Sequence, residues 1–267
     1  MIRATFWIGA SGFFGLALAG AAPAQDMMRH VDVTSPEMTA AEMTRTDVEA
    51  LVAAATPARP IDLTGKRLSG LDLSGLDLSA AILRAAKMNK TKLAGAKLDR
   101  AVLDQAWLLQ ADLSRASLQG ASIIAAQMQR AVLDGADLSG ARVTADMTGA
   151  SLVGTILTAA SLGADMKNQS MGLMRAVLRS SNLERAILRD ADLSRVDLEF
   201  AVLRGTDLTN ASLRGAELGG AMLAGVVVTG ADFFGADLTS TRLIAPVGLD
   251  AAKNFDAARN LDRLLRE

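Results

Sequence analysis

Ala131-Val132-Leu133-Asp134-Gly135 and Ala136-Asp137-Leu138-Ser139-Gly140 are two five-residue units of one design: a small residue, a variable one, a leucine, then two residues suited to a turn. Counting in fives from Leu63 to Val143 visits seventeen positions, thirteen of them Leu and the others Met88, Ile123, Met128 and Val143. Counting from Leu173 to Leu243 visits fifteen, again with thirteen Leu, plus Val228 and Phe233. Two residues before the apolar centre, alanine runs unbroken through Ala96, Ala101, Ala106, Ala111, Ala116, Ala121, Ala126, Ala131, Ala136 and Ala141.

Neither a helix nor a plain strand can use this period. At ~3.6 residues per turn a step of five rotates about 140°, which winds the leucines around every side of a helix. In a flat strand an odd step throws successive leucines to opposite faces. Every Leu can point inward only if the backbone turns a corner within each unit, and Gly65, Gly70, Gly75, Gly95, Gly120, Gly135, Gly140, Gly205, Gly215 and Gly235 follow the Leu by two residues, where a turn would sit. The chain therefore coils. Leu fills the tube, Ala allows close approach at its walls, and parallel ladder bonds between coils satisfy the backbone.

These residues resemble the pentapeptide-repeat family, whose pattern A(D/N)LXX stands in Ala136-Asp137-Leu138-Ser139-Gly140, Ala191-Asp192-Leu193-Ser194-Arg195 and Ala236-Asp237-Leu238-Thr239-Ser240. The resemblance spans about residues 61–245. It implies an all-β solenoid: a right-handed, four-sided parallel β-helix with roughly twenty residues per coil, hence about nine coils and a rod of roughly 40–45 Å at a ~4.8 Å strand spacing. The register slips once. Met147 follows Val143 by four residues, Leu152, Leu157 and Leu162 keep the new phase, and a spacing of eleven to Leu173 restores the old one. The expected irregularity is Ala164–Ser170, either a tolerated kink or a loop aimed at a contact.

The flanks divide the chain into a leader (1–24), a linker with an N-terminal helical cap (25–60), the repeats (61–245) and a C-terminal cap helix (246–267). Ala4 to Ala22 carries no charge, after Met1-Ile2-Arg3 and before Ala22-Pro23-Ala24, which reads as a secretory signal cleaved after Ala24; a retained membrane anchor is the other reading. The mature chain is then expected in the periplasm or outside the cell, with no membrane span. Ser35-Pro36-Glu37 and a capping box at Thr46-Asp47-Val48-Glu49 predict short helices over 36–43 and 47–55. Past Pro246-Val247-Gly248, the spacing of Phe255, Ala258, Leu261 and Leu265 predicts a helix that covers the open end or serves a homodimer.

Composition narrows the chemistry. With 28 Lys+Arg against 29 Asp+Glu no strong overall field draws the chain to nucleic acid or anionic lipid, so any recognition must be local. There is no cysteine and a single histidine, His30, so neither a thiol nucleophile nor a thiolate or multi-histidine metal site can be built. No catalytic residue, metal ligand or cofactor site is assigned, and no enzyme is expected.

Residues twenty apart should stack on adjacent coils, which turns the sequence into a surface map. Asp72, Lys92 and Asp112 alternate in sign, as do Glu184 with Arg204 and Arg179 with Glu199, exposed pairs worth about 0–1 kcal/mol each. Two stacks do not alternate: Asp197, Glu217 and Asp237, and Arg175 with Arg195. Like charges in register are mildly destabilising, so these stripes are either drift on a solvated face or a surface for a partner. Trp107 over Lys87 and Phe234 over Arg214 read as cation–π stacks or partner anchors. The functional expectation is a non-enzymatic periplasmic scaffold or protein-binding module that offers flat walls to an unknown protein or envelope component. The family resemblance implies one alternative, an acidic DNA-like rod that protects or inhibits DNA gyrase; the near-neutral charge and the leader argue against it.

Overall fold

A computed structural model describes residues 31–56, 58–164 and 174–266, and in it the chain meets itself every twenty residues. Four columns of parallel bridges run up the repeats, so each coil has four walls. The first begins Asp62↔Ile82↔Val102, the second Arg67↔Lys87↔Trp107, the third Asp72↔Lys92↔Asp112 and the fourth Asp77↔Lys97↔Ser117. Within a unit the central leucine donates its N–H to one neighbouring coil and the residue before it donates to the other, as in Leu83 N to Val102 O (2.7 Å) and Ile82 N to Ile61 O (2.8 Å). The central residues and the alanines two before them are buried along the whole tube, from Leu63 to Leu238, and form one continuous core.

Each corner is a β-turn in which the next unit's first N–H bonds the leucine carbonyl, as Ala136 N does to Leu133 O (2.9 Å). The residue two after each described apolar centre has φ > 0, except at Ala145 and Ala164, where the register slips. Glycine is not required there: Arg100 sits at +56°, Gln110 at +56° and Phe200 at +59°. What demands glycine is the residue one coil below. A Cβ on Gly220 would lie 2.7 Å from the Phe200 ring, whereas one on Gly235 would meet nothing within 4 Å.

The acid before each leucine serves the backbone. Asp137 Oδ1 accepts from the Ser139 N–H (2.9 Å) and hydroxyl (2.6 Å), closing the turn of its own unit. Where that position holds serine, an aspartate one coil away substitutes: Asp104 accepts from Ser122 Oγ (2.6 Å) and Ile124 N (3.2 Å), and Asp134 from Val153 N (3.0 Å). The stacked charges of the surface map thus double as acceptors for the outward N–H that the coil leaves open.

The slip shows as a change of step. Asp137 bridges Ile156, nineteen residues on, and Asp146 bridges Val177, thirty-one on. Strands β1 (Ser122–Gln127) and β2 (Arg142–Asp146) pair in parallel there, with a shift between Ile124 and Gln127. Ladder bonds continue to Ala164, whose N–H bonds the Ser194 carbonyl (3.1 Å), and on the far side of the undescribed residues the Ala176 N–H bonds the Leu162 carbonyl (2.9 Å). Most of the expected irregularity, Ala164–Ser170, lies outside the described residues, as do the leader and His30.

At the start of the repeats stand α1 (Pro36–Thr39) and α2 (Arg45–Ala54). The capping box falls two residues earlier than the sequence suggested: Thr44 Oγ1 accepts from Asp47 N (3.2 Å) and Asp47 Oδ2 from Thr44 N (2.8 Å). From α2, Val48 is fully buried in the core.

The C-terminal expectation is corrected. Residues 249–263 form three 3-10 turns, Leu249–Ala251, Phe255–Ala257 and Leu261–Arg263, each preceded by a left-handed residue, Gly248, Asn254 and Asn260. The step is six, and the segment continues the coil through Val227↔Val247, Asp232↔Lys253 and Asp237↔Arg259. It ends in a parallel three-stranded sheet of β3 (Met222–Ala224), β4 (Arg242–Ile244) and β5 (Leu265–Arg266). Phe255, Ala258, Leu261 and Leu265, at steps of three and four, fit one side of a helix, but an Asn or Gly in the left-handed region every sixth residue breaks a helix. A homodimer through a C-terminal helix loses its helix. Among the described residues no helix is long and apolar enough to cross a membrane.

Candidate functional site

The second wall gathers the residues that the sequence singled out. Trp107, Asp197, Glu217 and Asp237 stand in its column, Arg195 at its edge, and Arg175 reaches across it. Trp107 lies four coils below Asp197, linked through Gln127, Asp146 and Val177. Phe234 and Arg214 fall on the first wall, the guanidinium 4.6 Å from the ring centroid as expected.

On the lower part of this wall lies α1. Glu37 bonds Lys87 (2.7 Å), Glu42 pairs with Lys66 (3.4 Å) and Arg67 (3.3 Å), and the Glu42 N–H donates to Arg67 O (2.9 Å). Asn89, buried, donates its amide to the Met38 carbonyl (3.1 Å) while its oxygen accepts from Leu109 N (3.0 Å). Met38 is buried beneath. The hydrogen bond and charge of Lys87 hold the Glu37 carboxyl below its ordinary value. Lys87 therefore spends its charge on Glu37, and the Trp107–Lys87 stack is a backbone register with the indole half-buried beside it. Between this segment and the wall is a half-open cleft of about 490 Å³, lined by Val33, Thr39, Gly70, Lys90, Leu109 and Gln110 among others.

Higher up, the acidic stripe is met by cations of the same chain. Asp197, 5% exposed, pairs with Arg179 (3.0 Å), which also pairs with Glu199. Arg175 forms a two-pronged contact with Glu217 (2.9 and 2.8 Å) and donates to the Arg195 carbonyl (2.7 Å). Asp237 accepts from Asn260 Nδ2 (2.9 Å), with Arg259 4.0 Å away. Burial works against ionisation of Asp237, but the hydrogen bonds of Thr239 and Asn260 outweigh it and its carboxyl stays below the usual range. Burial likewise opposes the Arg179 charge, and Asp197 and Glu199 raise its pKa nonetheless. Carboxyls held ionised suit recognition and backbone capping; a general acid needs the opposite shift.

Sequence reasoning missed Arg179 as the partner of Asp197, Asn89 as the latch on α1, and Phe200, 59% exposed at the edge between the second and third walls. The first was hidden because the pair is eighteen residues apart, a diagonal across the coil, when only vertical steps of twenty were read. Phe200 did leave a signal: Gly220, twenty residues on, makes room for its ring.

Comparison with known proteins adds three findings. The sequence matches the family described as Pentapeptide repeats in eight copies, over residues 61–100, 96–135, 111–145, 126–163, 173–210 and 211–244. Among solved structures it is similar to HetL, a pentapeptide repeat protein involved in heterocyst differentiation regulation from the cyanobacterium Nostoc sp. strain PCC 7120 (28% identity, 83% of this chain and 99% of that one, TM-score 0.49). It is also similar to a trypsin-treated form of QnrB1, a plasmid-mediated fluoroquinolone resistance protein (18% identity, 73% and 92% covered, TM-score 0.43). No curated protein matches the sequence.

Proposed function

Because the chain belongs to the pentapeptide-repeat family, we propose that it is a non-enzymatic binding module that works outside the cytoplasm and recognises a protein partner on its second wall. Proteins of this family are generally structural or protein-binding. The observation that carries the reading is α1 with the residues just after it: the lower second wall holds this short acidic segment through the ion-paired Glu37 and Glu42, the buried Met38 and the bond from the Asn89 amide to the Met38 carbonyl. A wall that binds a peptide segment within its own chain has the chemistry to bind one from another, with charged rim contacts setting register and an apolar anchor supplying affinity. The upper part of the same wall repeats those ingredients, arginine–carboxylate pairs beside the exposed Phe200. Placement outside the cytoplasm rests on residues 1–24 alone. The gyrase reading needs a length of uncompensated negative charge, and Asp197, Glu217 and Asp237 are each met by a cation of the chain.

A photo-crosslinking side chain at Thr239 on the second wall, and another at Thr158 on the fourth, tests the reading in the source cell. The same protein adduct from Thr239 and none from Thr158 is expected, on a chain whose intact mass begins at Gln25. Equal labelling from both walls, or none, would remove the second wall as the binding face. A chain beginning at Met1 would move the protein out of the proposed compartment.

A further inference from the structure

The segment ahead of α2 rides up a side wall of the coil, while the open end is covered by Val48 of α2. Glu42 meets the first coil at Lys66 and Arg67, Glu37 and Met38 meet the second at Lys87 and Asn89, and Val33 and Thr34 line the cleft with Leu109 and Gln110 of the third. Glu42 has a capping duty: its N–H takes the Arg67 carbonyl, whose counterpart one coil up, the Lys87 carbonyl, accepts from Leu68 N (2.7 Å). Residues 32–40 show no such duty. Their backbone bonds run within the segment, from Ser35 N to Asp32 O (3.1 Å), Met38 N to Ser35 O (2.9 Å) and Ala40 N to Pro36 O (2.9 Å). They are tied to the wall by the Asn89 amide on the Met38 carbonyl (3.1 Å), the Glu37–Lys87 pair (2.7 Å) and the Met38 side chain. Met38 is 4% exposed yet lies outside the continuous core, so it fills a recess on the outer side of the wall, where the corner residues Ser69 (4%) and Asn89 (7%) are buried as well.

Charge says what else fits there. Over the first three coils the second wall and its two edges are residues 64–70, 84–90 and 104–110, which hold Lys66, Arg67, Arg84, Lys87 and Lys90 against one acid, Asp104. Arg84 stands 3.7 Å from Asp104, whose carboxylate also accepts from Ser122 and Ile124. On the flanking columns Asp62 is taken up by Thr64, and Asp72 by Ser74, with Lys92 3.9 Å away. Residues 31–43 carry Asp32, Glu37 and Glu42 and no cation. The wall beneath the segment is thus basic around an apolar recess, which matches an acidic segment and opposes a basic one. The present occupant is loosely kept. Its helix α1 has four residues, too few to persist alone, and an ion pair to the exposed Glu37 is weak and screened by salt.

We infer that residues 32–40 are a displaceable plug, and that the recess at Lys87 and Asn89 is the seat of a partner's acidic segment presenting a carboxylate followed by an unbranched apolar side chain, as Glu37 and Met38 do. This rests on the second wall being a protein-binding face and gives that face a partner chemistry and a competitor within the chain. The test uses a fluorescent synthetic peptide of residues 31–41 and follows its anisotropy with the mature chain, residues 25–267, as parent and as Glu37→Gln with Met38→Ser. The variant, whose plug is released, should bind the peptide and melt like the parent. A seat that its own plug leaves open about a tenth of the time binds about tenfold more weakly, and the parent should show that loss. Adding Lys87→Glu to the variant, or giving the peptide the same Glu37→Gln and Met38→Ser changes, should abolish binding. Glu37→Gln alone keeps Met38 in place and should bind at an intermediate level, which preserves the test if the double variant does not fold. No binding by either variant, equal binding by parent and variants, or binding indifferent to Lys87→Glu would each overturn the inference. So would a dimeric parent with residues 32–40 exchanged between copies, since a second copy would then be the occupant. A Thr239 adduct in the cell without peptide binding strikes this inference and spares the second wall, whereas peptide binding without the adduct strikes the cellular reading and spares the seat.

Discussion

At the residue scale, the repeat is governed by what one side chain does to the coil above it. Phe200 occupies a left-handed corner at +59°, and its ring lies where a Cβ of Gly220 would be. Gly220→Ala should therefore destabilise the protein by more than Gly235→Ala, which shares the positive φ but points into open space, and the excess should vanish when Phe200 is also Ala. Thermal melting of the four variants checks it; equal costs at both glycines would show that backbone conformation alone decides. The aspartates make a second residue-level prediction. Hydrogen bonds from the Thr64 hydroxyl and amide hold Asp62 below its ordinary 3.8, and those of Ser74 and Ser79 do the same for Asp72 and Asp77. A carboxyl lowered on folding contributes stability above its unfolded pKa and loses it as pH falls through the folded one. Stability should hold from neutral pH to about pH 5 and drop below pH 4, and Asp62→Asn should flatten that drop. An acid limb unchanged by the substitution would contradict the capping role.

At the element scale, what could be read from the sequence and what could not divides by period. A five-residue step with Ala two before Leu admits one solution, and the inward assignment of Leu63 to Leu238 followed from it. The short helices were legible from Pro36 and from Asp47 in the first turn of α2, though the cap residue was Thr44, because Thr44 with Asp47 closes the reciprocal pair that Thr46 cannot. The last segment was misread because Phe255, Ala258, Leu261 and Leu265 fit one side of a helix at steps of three and four, and the deciding signal was the Gly248, Asn254 and Asn260 series. The docking of α1 was not legible at all, since Glu37 meets Lys87 across fifty residues and no local pattern reports that. Its hold is electrostatic on the outside and apolar beneath. Glu37→Lys with Glu42→Lys should release α1 while α2 and the coils persist, seen as faster hydrogen exchange at the amides of Met38 to Ala40 with little change in melting. Unchanged protection of those amides would mean that Met38 and Asn89 alone hold the segment.

At the scale of the whole molecule, the described residues from Asp32 onward pack as one unit in which each coil touches its neighbours alone, so its two ends need covers of their own. Val48 of α2 is packed into the core at one end. At the other, the widened six-residue coil turns Leu249, Phe255 and Leu261 onto the core, with Phe255 edge-on to Phe233 at 5.3 Å. Between them the register is what places Trp107, Asp197, Glu217 and Asp237 on one wall, and it survives both the short step of nineteen and the long step of thirty-one. The sequence showed that the phase was lost and regained; it could not show where the chain re-enters, because the apolar centres fix phase and not height. That re-entry decides which residues share a wall, and the absence of cysteine makes it directly measurable. Ser161 and Asp192 are bridge partners across the excursion, both exposed. Neighbouring strands bring Cα atoms within the ~4.4–6.8 Å that a disulfide spans. Mild oxidation of the chain carrying Ser161→Cys and Asp192→Cys should close an intramolecular disulfide in the folded monomer. An open pair, together with closure of Ser161→Cys against Asn182→Cys, the outward residue one ordinary coil on, would contradict the coil and the wall built on it.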